Sequence, residues 1–172
     1  MAVVSPAIEQ AIGAIQSPWT VPYVGALTRA PTDYRAPADD GNHKQLLKKA
    51  RREIHPYQRQ LYASKQFSLL LVFQALDAAG KDGAIREVFE ELDPVNVNVS
   101  AFKRPTRHEL AHDFLWRTSK ELPARGDIAV FNRSYYEEVL TVRVHPEFLG
   151  GQYAGNAPQP DELWPERYRA IR

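Results

Sequence analysis

The sequence predicts an α/β protein in which a parallel β-sheet is flanked by helices. Segments with strand-like composition alternate with segments whose apolar residues recur at helical spacing. This alternation requires parallel strands that are joined by right-handed crossovers. The predicted strands cover residues 68–74, 95–101 and 128–131. Because sheets of this class usually contain more than three strands, we expect this one to be unfinished at its C-terminal end.

Composition limits the classes of protein that the chain can represent. The 172 residues are 44% hydrophobic and 25% charged, which suits a globular domain with its own core. The net charge of +1 gives no reason to expect a nucleic acid or a membrane surface as a partner. The absence of cysteine excludes disulfides and cysteine metal sites. With no pattern typical of a signal peptide or a membrane span, we expect a cytoplasmic protein.

The first 42 residues differ from the remainder of the chain. Five prolines fall within them, which predicts an extended arm with one short helix at 7–15. A docked arm and a poorly ordered tail both fit this pattern. We therefore divide the chain into an N-terminal arm at 1–42 and a core at 43–172.

The core is expected to begin with two helices. Leu46, Leu47 and Ile54 share one face of a helix at 43–55, and Pro56 suits the first position of a second helix at 57–63. The many lysines and arginines of the first helix indicate a solvated face or a contact with a polyanion. The uninterrupted apolar run at 68–74 then predicts a strand that is buried on both faces.

The elements that follow are marked by their start and stop signals. A helix at 84–92 is ended by Asp93 and Pro94, and a strand with alternating valines follows at 95–101. Thr106 and Glu109 form a capping-box pattern, which predicts a helix from 106 to 122. Further helical spacing covers 134–144 and 163–172, and a turn-rich connection occupies 150–165.

A turn of small residues connects the first strand to its helix. Ala78, Ala79, Gly80, Lys81, Asp82 and Gly83 offer backbone N–H groups and one ammonium to a phosphate chain, beside the positive end of the helix dipole. The general pattern G-x-x-x-x-G-K-[ST] is matched imperfectly, since Ala75 and Asp82 replace its first glycine and its hydroxyl residue. We expect Asp77 to hold the metal or to receive the acceptor proton. The alternative is an ordinary strand-to-helix turn with a solvated lysine.

Charged residues also follow the other two strands, where ligands of open parallel sheets bind. Arg133 is placed to contact the transferring phosphoryl group, and Glu137 or Glu138 to ligate magnesium. Lys103 follows the second strand and is predicted to contact an anion, and Arg117 projects from the next helix toward the same crevice. A plain helix start capped by Ser134 is the alternative for the 132–138 segment. His108 and His112 are four residues apart but have no third ligand.

These residues resemble the second family of polyphosphate kinases, the polyphosphate:nucleotide phosphotransferases, and most closely its branch acting on AMP and ADP. The resemblance covers about 43–172. It rests on four motifs, which are FQALDAAGKDG from Phe73, FK-PT from Phe102, HDFLWR from His112, and FNRSYYEEVL from Phe131 continuing to VRVHP at Val142.

The resemblance implies a P-loop kinase fold related to thymidylate kinase, magnesium as cofactor, and polyphosphate and an adenine nucleotide as partners. It matches Asp77 and Lys81 to the Walker A aspartate and lysine, and Arg133 to the arginine of the Walker B-like segment. Asn132 stands where many members have aspartate, which shifts metal binding toward Asp77 and Glu137. Family members continue with further strands and a helical lid, so the resemblance implies that these are missing here.

Three functional hypotheses therefore stay open at this point. The first is magnesium-dependent phosphoryl transfer between polyphosphate and AMP or ADP, by a chain that we expect to form a homo-oligomer. The second is an ATP-dependent nucleoside monophosphate kinase. The third is a non-catalytic remnant that binds polyphosphate.

Overall fold

The computed structural model describes residues 42–76, 78–153, 155 and 157–172. The predicted arm, with its helix at 7–15, lies outside these residues apart from Asn42, and Asp77 lies outside them as well. Among the residues described, none of the helices has both the length and the run of apolar residues that crossing a membrane requires.

Three parallel strands form the sheet, as the sequence predicts. They are β1 (Leu69–Phe73), β2 (Val97–Ala101) and β3 (Ile128–Asn132), and they are arranged in the order β1-β3-β2. In the register of the sheet, the last residue of β3 lies opposite the last residues of β1 and β2. The carboxyl ends of all three strands therefore lie at one level.

The central strand carries the core. Ile128 and Val130 pack on one face with Ile85, and Ala129 and Phe131 pack on the other face, as the two-residue period of a strand requires. The prediction of full burial is wrong for β1 and holds instead for β3. Among the described residues β1 pairs with β3 alone, so its side chains are only half-buried and Leu69 is 43% exposed.

The two predicted N-terminal helices form one helix, α1 (His43–Ser64), with Pro56 inside it, so the predicted break was wrong. A proline removes one N–H donor, and the acceptor that loses it is on Arg52, an exposed residue that water can reach. Contacts on each side of Pro56 hold the helix to the 87–96 segment. Arg51 Nε donates to the Glu87 carbonyl at 2.5 Å, and Gln58 Nε2 to the Asp93 carbonyl at 2.6 Å.

Helix α2 (Lys81–Phe89) begins earlier than the predicted 84–92 and also ends earlier. Gly80 precedes it in a left-handed conformation, and no side chain caps its N-terminus. The predicted stop at Asp93 falls instead at the start of a 3-10 turn, Pro94–Asn96, where the Asp93 side chain accepts from Val95 N. Ile85 anchors α2 on the sheet beside β3.

The predicted helix at 106–122 is two short helices, α3 (Arg107–Leu110) and α4 (Trp116–Ser119). The capping box of Thr106 and Glu109 is confirmed. The helix is interrupted because the Asp113 carboxylate accepts from Leu115 N at 2.9 Å and begins a new turn locally.

The segment after β3 also divides. A 3-10 turn, Tyr135–Glu138, precedes α5 (Thr141–Val144), so the predicted continuous helix at 134–144 was wrong. The predicted Ser134 cap is confirmed, since its hydroxyl accepts from Tyr136 N at 3.1 Å. This hydrogen bond between the Ser134 side chain and the backbone two residues later forms a local turn, and that turn competes with a regular helix at this position.

The last helix begins earlier than predicted. A 3-10 segment, Pro146–Gly151, leads toward α6 (Pro160–Ile171), whose proline at the start needs no N–H partner. Val142, Leu163 and Trp164 bury together and attach α6 to α5.

Candidate active site

A cleft of about 520 Å³ opens where the three strands end. Its walls come from the turn after β1, the segment after β2 and the end of β3. The main lining residues are Ala78, Ala79, Gly80, Lys81, Asp82, Gly83, Phe102, Lys103, Arg104, Asn132 and Arg133. The structure therefore brings together nearly all residues that the sequence predicted for phosphate binding.

The loop before α2 is shaped by two residues with positive φ. Ala78 has φ +63° and Gly80 has φ +83°. A left-handed conformation costs an alanine about 1 kcal/mol or more, so the fold holds Ala78 against its own preference. The first intrahelical hydrogen bond runs from Ala84 N to Gly80 O, which leaves the N–H groups of the preceding helical residues without an intrahelical acceptor. These donors lie at the cleft and suit an anion.

The loop lysine is held by β3. Lys81 Nζ donates to Asn132 Oδ1 and lies 3.4 Å from Asp82 Oδ1. Asn132 Nδ2 in turn donates to Asp82 Oδ1 at 2.5 Å. The Lys81 side chain is only 10% exposed, so the ammonium is fixed at the strand end rather than dispersed in solvent. This geometry contradicts the alternative of a solvated lysine.

The contacts among Lys81, Asn132 and Asp82 also affect the ionisation of Asp82. The hydrogen bond from Asn132 lowers the pKa of the Asp82 carboxyl, and the hydrogen bond and charge of Lys81 lower it further. Asp82 therefore carries a full negative charge near neutral pH. That charge faces the ammonium that is expected to bind phosphate, so an anion entering the cleft competes with Asp82 for Lys81.

Arg133 leaves β3 in an unusual backbone conformation. Its φ is +65°, and its N–H donates to the Phe73 carbonyl at 3.0 Å, which continues the β1–β3 ladder by one bond. The left-handed turn directs the side chain into the cleft lining. Arg133 Nη1 lies 4.0 Å from Glu137 Oε2. Strained backbone at the end of a central strand is typical of functional positions.

Glu137 is oriented by neutral donors. Gln74 Nε2 donates to Glu137 Oε1 at 2.6 Å, and the Thr141 hydroxyl donates to Glu137 Oε2. Ser134 Oγ also donates to Gln74 Oε1, at 3.3 Å. Gln74 was not predicted as a site residue, although its position directly after β1 is a signal that could have indicated it.

A second cavity of about 300 Å³ adjoins the cleft. Phe102, Lys103, Arg104 and Arg133 line both. Its remaining walls combine the apolar residues Pro105, Leu110, Val142 and Phe148 and the small Gly151 with the polar or charged residues Arg117, Glu137, Glu138, Thr141, Glu147 and Gln152. A space that combines apolar walls with polar and charged groups suits a ligand with a flat, partly apolar body.

Three predicted residues, Arg117, Glu137 and Glu138, do not line the first cleft, and all three line the second cavity. The Arg117 side chain is 8% exposed, and its Nη1 donates to the Lys103 carbonyl at 2.7 Å. Glu138, the alternative metal ligand, is 4% exposed and lies 3.5 Å from Arg117 Nη2. Arg167 and Gln152 complete this buried group, and no local pattern in the sequence marks either of them.

The sequence of this chain is similar to those of known proteins. The family model described as polyphosphate kinase 2 (PPK2) matches residues 37–154. An ADP-polyphosphate phosphotransferase of Rhodopseudomonas palustris is 49% identical over 132 residues, which are 76% of this chain and 46% of that protein. An AMP/ADP-polyphosphate phosphotransferase of Meiothermus ruber is 44% identical over 121 residues, which are 70% of this chain and 41% of that protein.

A solved structure from the same family is also similar to this chain. The crystal structure of polyphosphate kinase 2 from Arthrobacter aurescens TC1 superposes with a TM-score of 0.66 at 37% identity, and the match covers 92% of this chain and 49% of that one. The chain thus spans about half the length of the proteins it matches.

Proposed function

Because the chain belongs to the polyphosphate kinase 2 family and has its P-loop kinase fold, we propose that it transfers a phosphoryl group between inorganic polyphosphate and an adenine nucleotide, AMP or ADP. One observation carries the proposal. Lys81 begins α2 inside the cleft where all three strands end, and it is held there by Asn132. A helix start with a lysine in such a cleft binds phosphate groups.

The loop supplies the binding site for the phosphate chain. Backbone N–H groups of Lys81, Asp82 and Gly83 at the start of α2 act as donors, and the dipole of α2 adds positive potential. Ala78, Ala79 and Gly80 shape the turn that precedes them. Polyphosphate has anionic oxygens along its whole length, so it can occupy the loop and extend along the cleft toward Lys103.

Lys81 and Arg133 are proposed as the catalytic cations. Charge spreads over the oxygens of a phosphoryl group during its transfer, and cations fixed beforehand stabilise that charge without reorganising. Lys81 is fixed by Asn132, and Arg133 by its backbone turn and by Glu137. Little else is required of the protein, since positioning and electrostatics dominate such transfers.

Magnesium is the proposed cofactor. Among the described residues no group of three or more acidic, histidine or cysteine side chains is placed to hold a metal. That sparse donor set still fits Mg²⁺, which typically takes one or two carboxylates and completes its shell with water and substrate phosphates. Asp77, Asn132 and Glu137 stay the proposed protein ligands. When bound, Mg²⁺ would neutralise charge on the phosphate oxygens.

The second cavity is proposed to receive the nucleoside. It adjoins the cleft at Arg133 and Lys103, so a nucleotide bound there would direct its phosphate toward the loop. Phe148 and Val142 offer apolar walls for a base, and the Thr141 hydroxyl, which donates to Glu137, can still accept a hydrogen bond from its edge.

The test is an assay with magnesium, polyphosphate, and AMP or ADP, in which the nucleotide products are separated and counted. Lys81→Ala should lower the turnover by well over tenfold, a loss above about 1.4 kcal/mol. Lys49→Ala is the control, because Lys49 is an exposed lysine on α1 that pairs only weakly with Glu53 at 3.9 Å. If Lys81→Ala retains activity within about tenfold of the parent, the assigned role is wrong.

Parallel reactions separate the rival functions. ATP in place of polyphosphate would support transfer to AMP if the chain were a conventional nucleoside monophosphate kinase. Polyphosphate binding without turnover would identify a non-catalytic binding protein. The expected homo-oligomer is checked by light scattering in the same buffer.

A further inference from the structure

We propose that a buried charge cluster of Arg117, Glu138 and Arg167 positions Lys103 in the cleft, so that Arg117 acts on bound phosphate through Lys103 rather than by direct contact. The inference rests on the proposed function only for the identity of the anion. The cluster itself is a property of the folded chain.

The first step is the contact between Arg117 and Lys103. β2 ends at Ala101, and the capping box of α3 begins at Thr106. Lys103 lies between these fixed points and lines both cavities. Arg117 Nη1 donates to its carbonyl at 2.7 Å, which fixes the backbone from which the Lys103 side chain extends.

The second step is that Arg117 is itself held in place. Its guanidinium stands 5.6 Å from the ring of Phe102, and its Nη2 lies 3.5 Å from Glu138 Oε1. Phe102 is buried against Phe131 of the central strand, with ring centroids 4.8 Å apart. Arg117 is therefore fixed by a carboxylate and an aromatic face, and it lines the second cavity rather than the first cleft.

The third step connects Glu138 to α6. Glu138 Oε2 accepts from Gln152 Nε2 at 2.7 Å and lies 3.6 Å from Arg167 Nη1. Arg167 Nη1 also donates to the Glu138 carbonyl at 2.7 Å, and Arg167 Nη2 donates to Gln152 Oε1. The three side chains close a ring of hydrogen bonds, and the Arg167 side chain is only 3% exposed.

The charges explain why this arrangement serves positioning. Three buried charges are costly to desolvate, and an apolar group of the same size would stabilise the fold as well or better. Charged side chains instead fix the geometry of their partners, since a planar guanidinium can hold a carbonyl and a carboxylate at the same time. Two arginines against one glutamate give these three side chains a net positive charge, and the Glu109 carboxylate lies close enough to Arg117 to offset part of it.

The experiment measures the dissociation constant of tripolyphosphate for four forms of the chain, which are the parent, Arg117→Lys, Lys103→Met and the double variant. Lysine keeps the charge opposite Glu138 but cannot donate to both partners. We expect Arg117→Lys and Lys103→Met each to weaken binding by several-fold to about tenfold. The double variant should bind no more weakly than Lys103→Met alone, because the effect of Arg117 passes through Lys103.

Arg51→Lys is the matched control. Arg51 is another buried arginine, and it pairs with Glu87, Glu90 and Glu91 between α1 and α2. We expect it to lower the unfolding midpoint without changing tripolyphosphate affinity. If Arg117→Lys also changes only the unfolding midpoint, or if the double variant shows the product of the two single losses, the positioning role is refuted.

Hydrogen exchange separates this inference from the proposed function. Without any ligand, Arg117→Lys should increase amide exchange in the 101–106 segment, and Arg51→Lys should leave that segment unchanged. Unchanged exchange after Arg117→Lys would refute the positioning role whether or not tripolyphosphate binds. A parent chain that fails to bind tripolyphosphate, while exchange responds as expected, would refute the proposed anion and retain the positioning role.

Discussion

The two glycines of the phosphate loop should respond in opposite directions to the same substitution. Gly80 has φ +83°, whereas Gly83 lies in α2 without a positive φ. A Cβ added at either position would meet no atom within 4 Å, so steric contact contributes to neither result. The difference between the two variants therefore isolates the backbone conformation.

The magnitude follows from the conformation of each residue. Gly80→Ala forces an alanine into the left-handed region and should destabilise the fold by about 1–2 kcal/mol. Gly83→Ala replaces a helical glycine and should stabilise it by up to about 1 kcal/mol. The free energies of unfolding of the two variants should then differ by about 2 kcal/mol.

The assay is urea unfolding followed by circular dichroism, with tripolyphosphate binding measured on the same samples. Gly80→Ala should lose both stability and affinity, because relaxing the turn moves the N–H groups of Lys81 and Asp82. Equal stabilities for the two variants would refute the left-handed turn at Gly80. Unchanged affinity in Gly80→Ala, together with the expected loss of stability, would refute the loop as the binding site.

Two further predictions follow from single contacts. The pKa of Asp82 should lie below the ordinary carboxyl range, and Asn132→Ala should raise it, which NMR titration would measure. Because the folded state lowers this pKa, the small contribution of Asp82 to stability is present above the ordinary pKa. That contribution is lost as the pH falls through the lowered pKa. An unchanged pKa in Asn132→Ala would contradict the contact. Phe131→Ala should cost about 3–5 kcal/mol in urea unfolding, because Phe131 is fully buried at the centre of the sheet, whereas Leu122→Ala at an exposed position should cost under about 0.5 kcal/mol.

The sheet and the loop were predictable because their signals are local. An apolar run, alternating valines and a short apolar strand each mark one strand, and all three predicted strands are confirmed. The loop follows from the first strand and from the small residues after it. Since parallel strands end at one edge, the sequence also placed Lys103, Asn132 and Arg133 near Lys81.

The helices were less predictable because contacts distant in sequence decide them. Pro56 is the strongest local signal for a break in α1, yet Arg51 holds the first half to Glu87 and Gln58 holds the second half to Asp93. Conversely, the spacing of apolar residues at 106–122 indicates one helix, yet a single Asp113 side chain ends it. Capping by a side chain competes locally with the periodic pattern, and the pattern alone does not show which one prevails.

The burial of side chains was the hardest feature to predict. The apolar composition of β1 suggested a strand buried on both faces. Which strand lies at the centre of the sheet depends on the order of the strands, and the composition of one strand does not reveal that order. Arg117 was predicted to bind phosphate or nucleotide, as a cation on the helix that follows the second strand. Its partner Glu138 is 21 residues away, and Arg167 is a further 29, so the buried cluster exists only in the folded chain.

A crystal of the chain soaked with tripolyphosphate and magnesium tests the central claim most directly. The account predicts phosphate density against the N–H groups at the start of α2, with Lys81 Nζ moved from Asn132 onto a phosphate oxygen. Density elsewhere on the chain, with Lys81 still bound to Asn132 and Asp82, would contradict it.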